Sequence, residues 1–281
     1  MKLTSQSLTG LSRSAEPQPS VDLTIATRIT ILVLVTVCIF TTIEAKATSV
    51  VALIDRNNHT VVIAADCRVN RTRGSSSECK IVERPGCIAA IAGLYSENVT
   101  GFDVRRFVDA ACEYPGDLRS KAEEFLRVAK HPYEQAVRHI RDANPSDFAR
   151  STRNKATEVV FAGIQNGKVA LIVRGLMADS SGKVSVERFE SVAPTYSRAG
   201  YFLGLNGHIR AHVKSHPDWS KEDYVQLAHR FVEMEIEAHP DLAGLPISEV
   251  QIDEVGDVHW LDKGACDRGG ATGTIRAKIG K

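Results

Sequence analysis

The sequence predicts an α+β fold in which two antiparallel sheets stack between layers of helices. Short apolar segments separated by turns alternate with segments of helical periodicity, in the order strands, two helices, strands, two helices, strands. Tight turns between successive strands favour antiparallel pairing, and stacked sheets covered by helices bury the apolar faces of both element types. With 43% hydrophobic and 25% charged residues, the 281-residue chain is typical of an ordinary globular protein, and we predict one large domain.

The first half of the domain contains four predicted strands and two predicted helices. The strands are 49–54, 61–66, 80–82 and 87–92, joined in pairs by the turns 56–59 and 84–86. Helical structure is expected to begin near Ser96, and the apolar spacing over 102–111 and 118–129 predicts the two helices. Pro132 is expected to kink or divide the second helix, because proline lacks the backbone N–H.

The second half repeats this order. The turn Gln165-Asn166-Gly167 joins strands 159–164 and 169–173 in a hairpin, and 184–189 and 201–203 are further strands. One helix is predicted over 206–214 and another after a cap at Ser220, with Asp223 three residues later. Strands 247–252 and 258–261 close the domain, and a Gly-rich tail from Gly264 is expected to be flexible.

Residues 1–47 differ from the rest and predict a leader that is removed. Basic residues up to Arg28 are followed by the apolar run ITILVLVTVCIF and by the small-residue site Ala45-Lys46-Ala47. This order is the layout of a secretory signal peptide, and the run is too short for a membrane-spanning helix of roughly 20 residues. The domains are therefore a removed leader (1–47), the folded domain (48–263) and the tail (264–281). An uncleaved anchor and a cytosolic propeptide are the alternatives.

Charge and cysteine content exclude several classes of function. Net charge is +1, and removing residues 1–47 takes away four basic and three acidic residues, which leaves 31 of each. A neutral chain has no electrostatic attraction for nucleic acid or for an anionic membrane. The five cysteines of the predicted mature chain contain no C-x-x-C zinc motif. They allow one or two disulfides, with at least one thiol left over, or they are simply small buried residues.

One histidine pattern resembles a metal site. His208, His212 and His216 recur every four residues and would share one face of a helix. Pro217 makes the last position doubtful, and no carboxylate joins the histidines at matching spacing. A solvated helix face is the better interpretation, so we predict no metal and no cofactor.

Thr48 is the first candidate catalytic residue. Cleavage after Ala47 would make Thr48 the new N-terminus at the start of the first strand. A hydroxyl needs a base to become a nucleophile, and an N-terminal residue carries one in its own α-amine. Threonine is also common in strands for structural reasons, so only its coincidence with the cleavage site favours a catalytic role.

Asp66, Lys80 and Gly93 are three further candidates, each at an end of a predicted strand. A buried Lys80 ammonium could polarise the Thr48 hydroxyl and lower the pKa of the amine, while Asp66 would keep that lysine charged. A weak surface ion pair is the alternative. Gly93 lets a substrate approach the backbone, and its N–H could stabilise an oxyanion; an ordinary strand-to-helix turn is the alternative.

Taken together, the segments TSVVALID, VVIAADCRV, SSECKIV and IAAIAG resemble the first third of a proteasome β subunit or of the related bacterial HslV peptidase. The resemblance implies a four-layer αββα sandwich, the N-terminal nucleophile hydrolase fold. It implies that Thr48 is nucleophile and base, that Asp66 and Lys80 form a charge pair and that Gly93 is the oxyanion donor. A later family aspartate falls near Asp241. Pocket residues would be Val69, Glu78 and Ile91, the substrate a peptide or unfolded protein, and the assembly a homo-oligomer, with a ring as one form.

Two departures from the family pattern bear on function. Ala47 stands where self-processing members carry glycine, which favours a signal peptidase and a secreted or periplasmic protein over a cytoplasmic one with a cleaved propeptide. The family's Gly-Ser-Gly turn reads Gly204-Leu205-Asn206, so the serine that helps hold the amine is missing. An amidase acting on a small amide, and an inactive assembly or binding module, are therefore the alternatives to a peptidase.

Overall fold

The computed structural model describes residues 48–55, 59–71, 74–150, 155–191 and 198–269. All of them belong to one compact unit, Glu44–Lys281. The predicted leader, 1–47, and the tail beyond residue 269 lie outside the described residues. Within the described ranges, none of the helices has the length and apolar character needed to cross a membrane.

Two five-stranded antiparallel sheets form the centre of the unit. Sheet 1 has the strand order β12 (Arg198–Gly204), β1 (Ser49–Asp55), β2 (Thr60–Asp66), β13 (Ile247–Ile252), β14 (Val258–Asp262). Sheet 2 has the order β11 (Val184–Ser191), β10 (Lys168–Ala178), β9 (Ala156–Gln165), β6 (Cys87–Gly93), β5 (Ile81–Arg84). Two short hairpins join β3 (Arg68–Arg71) to β4 (Gly74–Ser77) and β7 (Ser96–Glu97) to β8 (Phe102–Asp103).

In the part of the chain that the structure describes, five α-helices accompany the sheets. They are α1 (Val104–Glu113), α2 (Leu118–Ala143), α3 (Pro145–Arg150), α4 (Gly207–Ser215) and α5 (Tyr224–Ala238), with 3₁₀ turns at Pro217–Lys221 and Gly264–Gly269. Aspartates cap three of the helices. Asp103, Asp117 and Asp223 each accept a hydrogen bond from a first-turn N–H of α1, α2 and α5, which satisfies donors that have no partner within the helix.

Three clusters of buried apolar side chains hold the unit together. The first joins sheet 2 to α1 and α2, the second contains residues of both sheets, and the third joins sheet 1 to α4 and α5. Side chains alternate between clusters along each central strand: Val50 belongs to the second cluster and Val51 to the third. Both faces of β1 are therefore buried, which explains why its sequence is a continuous apolar run. The α+β class is confirmed.

The predicted hairpins agree with the strand pairing. At the turn between β9 and β10, Asn166 and Gly167 have φ angles of 53° and 71°, and Gln165 pairs with Lys168. Two successive positive φ values define the two-residue turn that Asn-Gly favours, because its twist matches the twist of the strands.

The bounds of several elements differ from the sequence prediction. Helical structure does not begin near Ser96, which lies in β7; α1 begins only at Val104. Ser220 lies in the 3₁₀ turn, and the cap of α5 is Asp223, which accepts from Gln226 N–H at 3.0 Å. Helix α2 runs undivided through Pro132. The first six residues of the predicted flexible tail form the 3₁₀ turn that begins at Gly264.

Candidate active site

Thr48, Asp66 and Lys80 meet at one end of the two sheets. Thr48 directly precedes β1, and Asp66 is the last residue of β2. These neighbours are antiparallel and pair Val50 with Ala65, so the start of β1 lies beside the end of β2. Lys80 directly precedes β5 in sheet 2 and reaches the other two residues across the space between the sheets.

The Lys80 ammonium connects the other two side chains. Its Nζ atom donates to Thr48 Oγ1 at 3.0 Å and to the two carboxylate oxygens of Asp66 at 3.0 and 3.1 Å. Lys80 and Asp66 have no exposed side-chain surface, and Thr48 is only 5% exposed. Because Nζ is the donor, Thr48 Oγ1 is the acceptor, and its own proton stays available to a base. A surface ion pair, the alternative interpretation of the sequence, is excluded by this burial.

Backbone N–H groups complete the surroundings of the Asp66 carboxylate. Ser49 N–H donates to Oδ1 at 2.7 Å, while Arg68 and Gly244 N–H groups donate to Oδ2 at 3.1 and 3.3 Å. The donors come from the start of β1, the start of β3 and the loop before β13, so three separate parts of the chain converge on one carboxylate. Their donors compensate for the loss of water that burial imposes on a charged group.

Burial and mutual attraction act in opposite directions on the pKa values of this pair. Burial raises the pKa of the Asp66 carboxyl, and the charge of Lys80 opposes that shift. Burial likewise lowers the pKa of the Lys80 ammonium, and the charge of Asp66 opposes it. A lysine whose pKa is lowered in this way holds its proton less tightly, which suits a group that donates to a reacting oxygen.

Gly93 ends β6 with a backbone that few other residues adopt. Its φ angle is +94°, and a Cβ atom there would collide with the carbonyl oxygen of Ala156. Alternate N–H groups of an antiparallel strand point to the same side. Ile91 N–H donates to the Lys80 carbonyl at 3.1 Å, so the Gly93 N–H faces that same side. Pairing with β5 begins only at Ile81, which leaves this N–H beyond the paired part of the ladder.

The turn after β12 holds the backbone of Thr48. Leu205 N–H donates to the Thr48 carbonyl at 2.7 Å. The side chain of Asn206 donates to the Phe202 carbonyl at 2.8 Å and accepts from Arg210 at 2.9 Å. Asn206 therefore contacts its own strand and helix, and neither of these hydrogen bonds involves Thr48.

A buried glutamate fixes the helix that follows this turn. Glu235 of α5 has no exposed surface, and its Oε1 accepts from the His208 and Ile209 N–H groups at 2.8 and 2.9 Å. These N–H groups belong to the first turn of α4, which lacks a side-chain cap of its own. Glu235 supplies that cap from another helix, which no local sequence pattern indicates.

Two of the remaining predicted site residues contact the triad of Thr48, Asp66 and Lys80, or the residue next to it, through their backbone: Ile91 N–H donates to the Lys80 carbonyl and Glu78 N–H to the Cys67 carbonyl. Asp241 is exposed in the turn after α5, and the contact from this loop to Asp66 comes from the Gly244 backbone instead. Ile91 is fully buried in the cluster between sheet 2 and its helices. Val69 is 7% exposed on β3, and Glu78 accepts from Ser76 Oγ at 2.9 Å.

A cavity of about 400 Å³ is lined by residues of β12, of β9 to β11 and of α4. Its lining includes Glu158 of β9, whose carboxylate accepts the Gly204 N–H at 3.0 Å, but none of the three predicted pocket residues. Burial raises the pKa of Glu158. This residue was missed in the sequence, where a lone glutamate in a predicted strand carries no signal.

The histidine stripe does not form a metal site in the described structure. His212 and His216 stack with ring centroids 4.1 Å apart, and His208 faces His239 instead. Over the described ranges, no group of three or more histidine, cysteine, aspartate or glutamate residues has the arrangement needed to hold a metal ion.

Comparison of the chain with models of known protein families and with curated proteins finds no match.

Proposed function

We propose that the mature chain begins at Thr48 and hydrolyses amide bonds as an N-terminal nucleophile hydrolase. One observation carries the proposal: the fully buried Lys80 ammonium lies 3.0 Å from Thr48 Oγ1 while it is paired with Asp66. A charged lysine cannot accept the hydroxyl proton. The reaction therefore needs a separate base, and a free α-amine on Thr48 would be the nearest one.

The proposed reaction proceeds through an ester. Thr48 Oγ1 attacks the carbonyl carbon of the amide, and its proton moves to the α-amine of the same residue. Gly93 N–H stabilises the oxyanion of the tetrahedral intermediate, and Lys80 stabilises the charge that develops on Oγ1. The carbon–nitrogen bond then breaks as the amine returns the proton to the leaving nitrogen. Water, deprotonated by the same amine, hydrolyses the ester and restores Thr48.

The arrangement of the sheets supports this class of protein. We propose that the two sheets and the helices packed on their outer faces form the four-layer αββα sandwich of N-terminal nucleophile hydrolases. In this arrangement β1 is an inner strand of sheet 1, between β12 and β2. Thr48 lies two residues before Val50, which packs between the sheets, so Thr48 is on the same face of the strand. A nucleophile at that position lies next to groups from both sheets.

We further propose that the protein is exported and acts outside the cytoplasm on peptides or unfolded proteins, as a homo-oligomer. The leader supports export, and two disulfides, Cys79–Cys266 and Cys87–Cys112, support an oxidising compartment. Cys67 is free and buried. Without an unfolding partner, the substrate would be a short or already unfolded chain.

The proposal is tested by sequencing the N-terminus of the protein made in its own host and by assaying that material. We expect a start at Thr48, release of fluorophore from a panel of peptide substrates, and loss of this release in T48A. T48S retains a hydroxyl and an amine and is the matched control, so it should keep measurable activity. A start elsewhere, or equal activity of T48A, would refute the proposal; cleavage of small amides but not peptides would correct the substrate class.

A further inference from the structure

The residue that precedes Lys80 forms a disulfide. Cys79 is bonded to Cys266, 187 positions away in the sequence. Residues 78–80 belong to no strand, because β4 ends at Ser77 and β5 begins at Ile81. Lys80 therefore lies at the end of a short connecting segment, which the β5–β6 ladder reaches through the bond from Ile91 N–H to the Lys80 carbonyl.

Cys266 is attached to the opposite sheet. It lies in the 3₁₀ turn Gly264–Gly269, where the preceding residue, Ala265, is 4% exposed. Cys266 Sγ lies 3.2 Å from Ser248 Oγ, and that hydroxyl donates to the Lys263 carbonyl at 2.8 Å. Ser248 is the second residue of β13, so the C-terminal turn is held against sheet 1.

The attachment point is next to Asp66. Strand β13 pairs with β2, and the residue before Ser248, Ile247, is opposite Asp66. The hydroxyl of Ser248 also lies 3.1 Å from the sulfur of Cys67, the residue after Asp66. The disulfide and the Lys80–Asp66 ion pair thus run side by side, and both connect the segment before β5 to the end of β2 and its neighbour β13.

We propose that the Cys79–Cys266 disulfide is a positioning element of the active site, which holds the Lys80 ammonium against Asp66 and Thr48 and makes hydrolysis depend on the oxidised state of this bond. The inference rests on the proposed function for its effect on hydrolysis. Its structural part, that the disulfide keeps Lys80 buried, is independent of any activity.

Several other hydrogen bonds bear on the same segment and define the competing explanation. Ile91 N–H donates to the Lys80 carbonyl at 3.1 Å, and Glu78 N–H donates to the Cys67 carbonyl at 2.7 Å. Arg105 and Tyr95 both donate to the carbonyl of Cys79. If these hydrogen bonds suffice, loss of the disulfide would leave Lys80 in place. If they do not, a dithiol reductant would convert the bond to two thiols, with the reductant oxidised to its cyclic disulfide, and residues 78–80 would separate from the C-terminal turn.

The other disulfide supplies the matched control. Cys87–Cys112 connects β6 to α1, and both cysteines belong to the cluster between sheet 2 and its helices. We would compare C79A/C266A with C87A/C112A as mature chains. For C79A/C266A we expect kcat to fall roughly ten- to a hundredfold with little change in KM, because small displacements of a catalytic group have effects of this size. For C87A/C112A we expect a lower Tm with kcat and KM unchanged.

Acylation of lysines, measured residue by residue by mass spectrometry, tests the structural part. Lys80 has no exposed surface and should resist the reagent in wild type and in C87A/C112A, but react in C79A/C266A. The exposed Lys221 is the internal reference and should react equally in all three. Protection of Lys80 in a folded C79A/C266A variant with wild-type kcat would overturn the inference and assign the role to the hydrogen bonds that hold residues 78–80.

Graded reduction covers the case in which C79A/C266A does not fold. In the C87A/C112A background only Cys79–Cys266 can be reduced, so a titration with dithiothreitol reports on that bond alone. We expect hydrolysis to decline and Lys80 to become reactive together, both reversed by reoxidation. Constant Lys80 protection after full reduction would refute the inference. A wild-type protein without hydrolysis would refute the proposed function, and Lys80 reactivity alone would then decide whether the disulfide holds this residue.

Discussion

Lys80 and Asp66 are fully buried, and each is the main compensation for the other's charge. Buried ion pairs of this kind are weak sources of stability as a pair, but removing one partner leaves an uncompensated charge. The pair therefore has to be tested with single and double substitutions. Thr48 depends on it, because its hydroxyl is held by the same ammonium.

Replacing Lys80 alone should be strongly destabilising. K80M keeps the length of the side chain but leaves the Asp66 carboxylate unpaired, so we expect a loss of about 3–5 kcal/mol in the free energy of unfolding. In D66N/K80M neither partner is charged, and most of this loss should be recovered, although hydrolysis should remain absent. Urea unfolding measures the free energy of unfolding of both variants. Equal stability of K80M and wild type would show that the pair is not buried in solution.

The pH dependence of hydrolysis follows from these two groups and from the α-amine of Thr48, which must be unprotonated to act as the base. Burial lowers the pKa of Lys80 from 10.5 and raises that of Asp66 from 3.8. As pH rises through the lowered pKa of Lys80, the donor to Thr48 Oγ1 loses its charge; as pH falls through the raised pKa of Asp66, the carboxylate is lost. We expect kcat to decline on both sides, at values inside this interval.

On the alkaline side, the free energy of unfolding should rise with pH over the range in which kcat declines. Between the lowered pKa of folded Lys80 and 10.5, the unfolded chain binds more protons than the folded one, so this group makes the folded state more stable as pH rises. Unfolding free energies of wild type and D66N/K80M, measured across this range, isolate the contribution. A difference between the two proteins that does not change with pH would contradict the assignment.

At the scale of elements, the end of β6 is a place where one glycine is required. Gly93 combines a φ of +94° with a collision between any Cβ and the Ala156 carbonyl, whereas Gly86, at the other end of β6, has a φ of +67° and open space around it. G86A should cost about 1–2 kcal/mol of backbone strain. G93A should cost that and about 1–3 kcal/mol more for the collision.

The two variants also differ in their expected effect on activity. G93A displaces the N–H assigned to the oxyanion and should reduce kcat, while G86A should leave kcat near the wild-type value. Thermal unfolding and kinetics on both variants separate stability from catalysis. A G86A variant with the larger loss of either property would argue against the role of Gly93.

Sequence patterns were informative where local chemistry decides the structure. The turn at Asn166-Gly167 and the pairs β1–β2 and β5–β6 follow from turn residues and apolar runs. Element ends were less predictable. The short pairing of β7 with β8 delays α1 to Val104, and the Asp223 side chain displaces Ser220 as the cap of α5. Both outcomes depend on contacts that periodicity does not encode.

At the scale of the whole molecule, the contacts that define the site come from distant parts of the chain. Thr48, Asp66 and Lys80 are predicted from their positions at strand ends together with the family resemblance, whereas the Gly244 donor and the pairing of Cys79 with Cys266 are not predicted. A cysteine pairing cannot be derived from spacing alone, and a backbone donor has no sequence signature. Contacts between distant parts of the chain therefore determine the features of the site that sequence motifs do not predict.

The disulfide pattern gives a test of this topology. Under denaturing, non-reducing conditions, a thiol reagent should modify one cysteine of the mature chain, Cys67, because the other four are paired. Peptide mapping should recover Cys79 linked to Cys266 and Cys87 linked to Cys112. Three or more reactive thiols, or a different pairing, would contradict the described packing of the C-terminal turn.

Labelling with a peptide epoxyketone tests the proposed catalytic role of Thr48 most directly. The reagent forms its stable ring only with the hydroxyl and free amine of one N-terminal residue, so the adduct reports cleavage and nucleophile together. On protein from its own host, we predict a single adduct on an N-terminal Thr48, with hydrolysis lost in proportion, and no adduct on K80M. An unlabelled protein in which Thr48 remains internal would contradict the proposed mechanism, because no free amine would then be available as base.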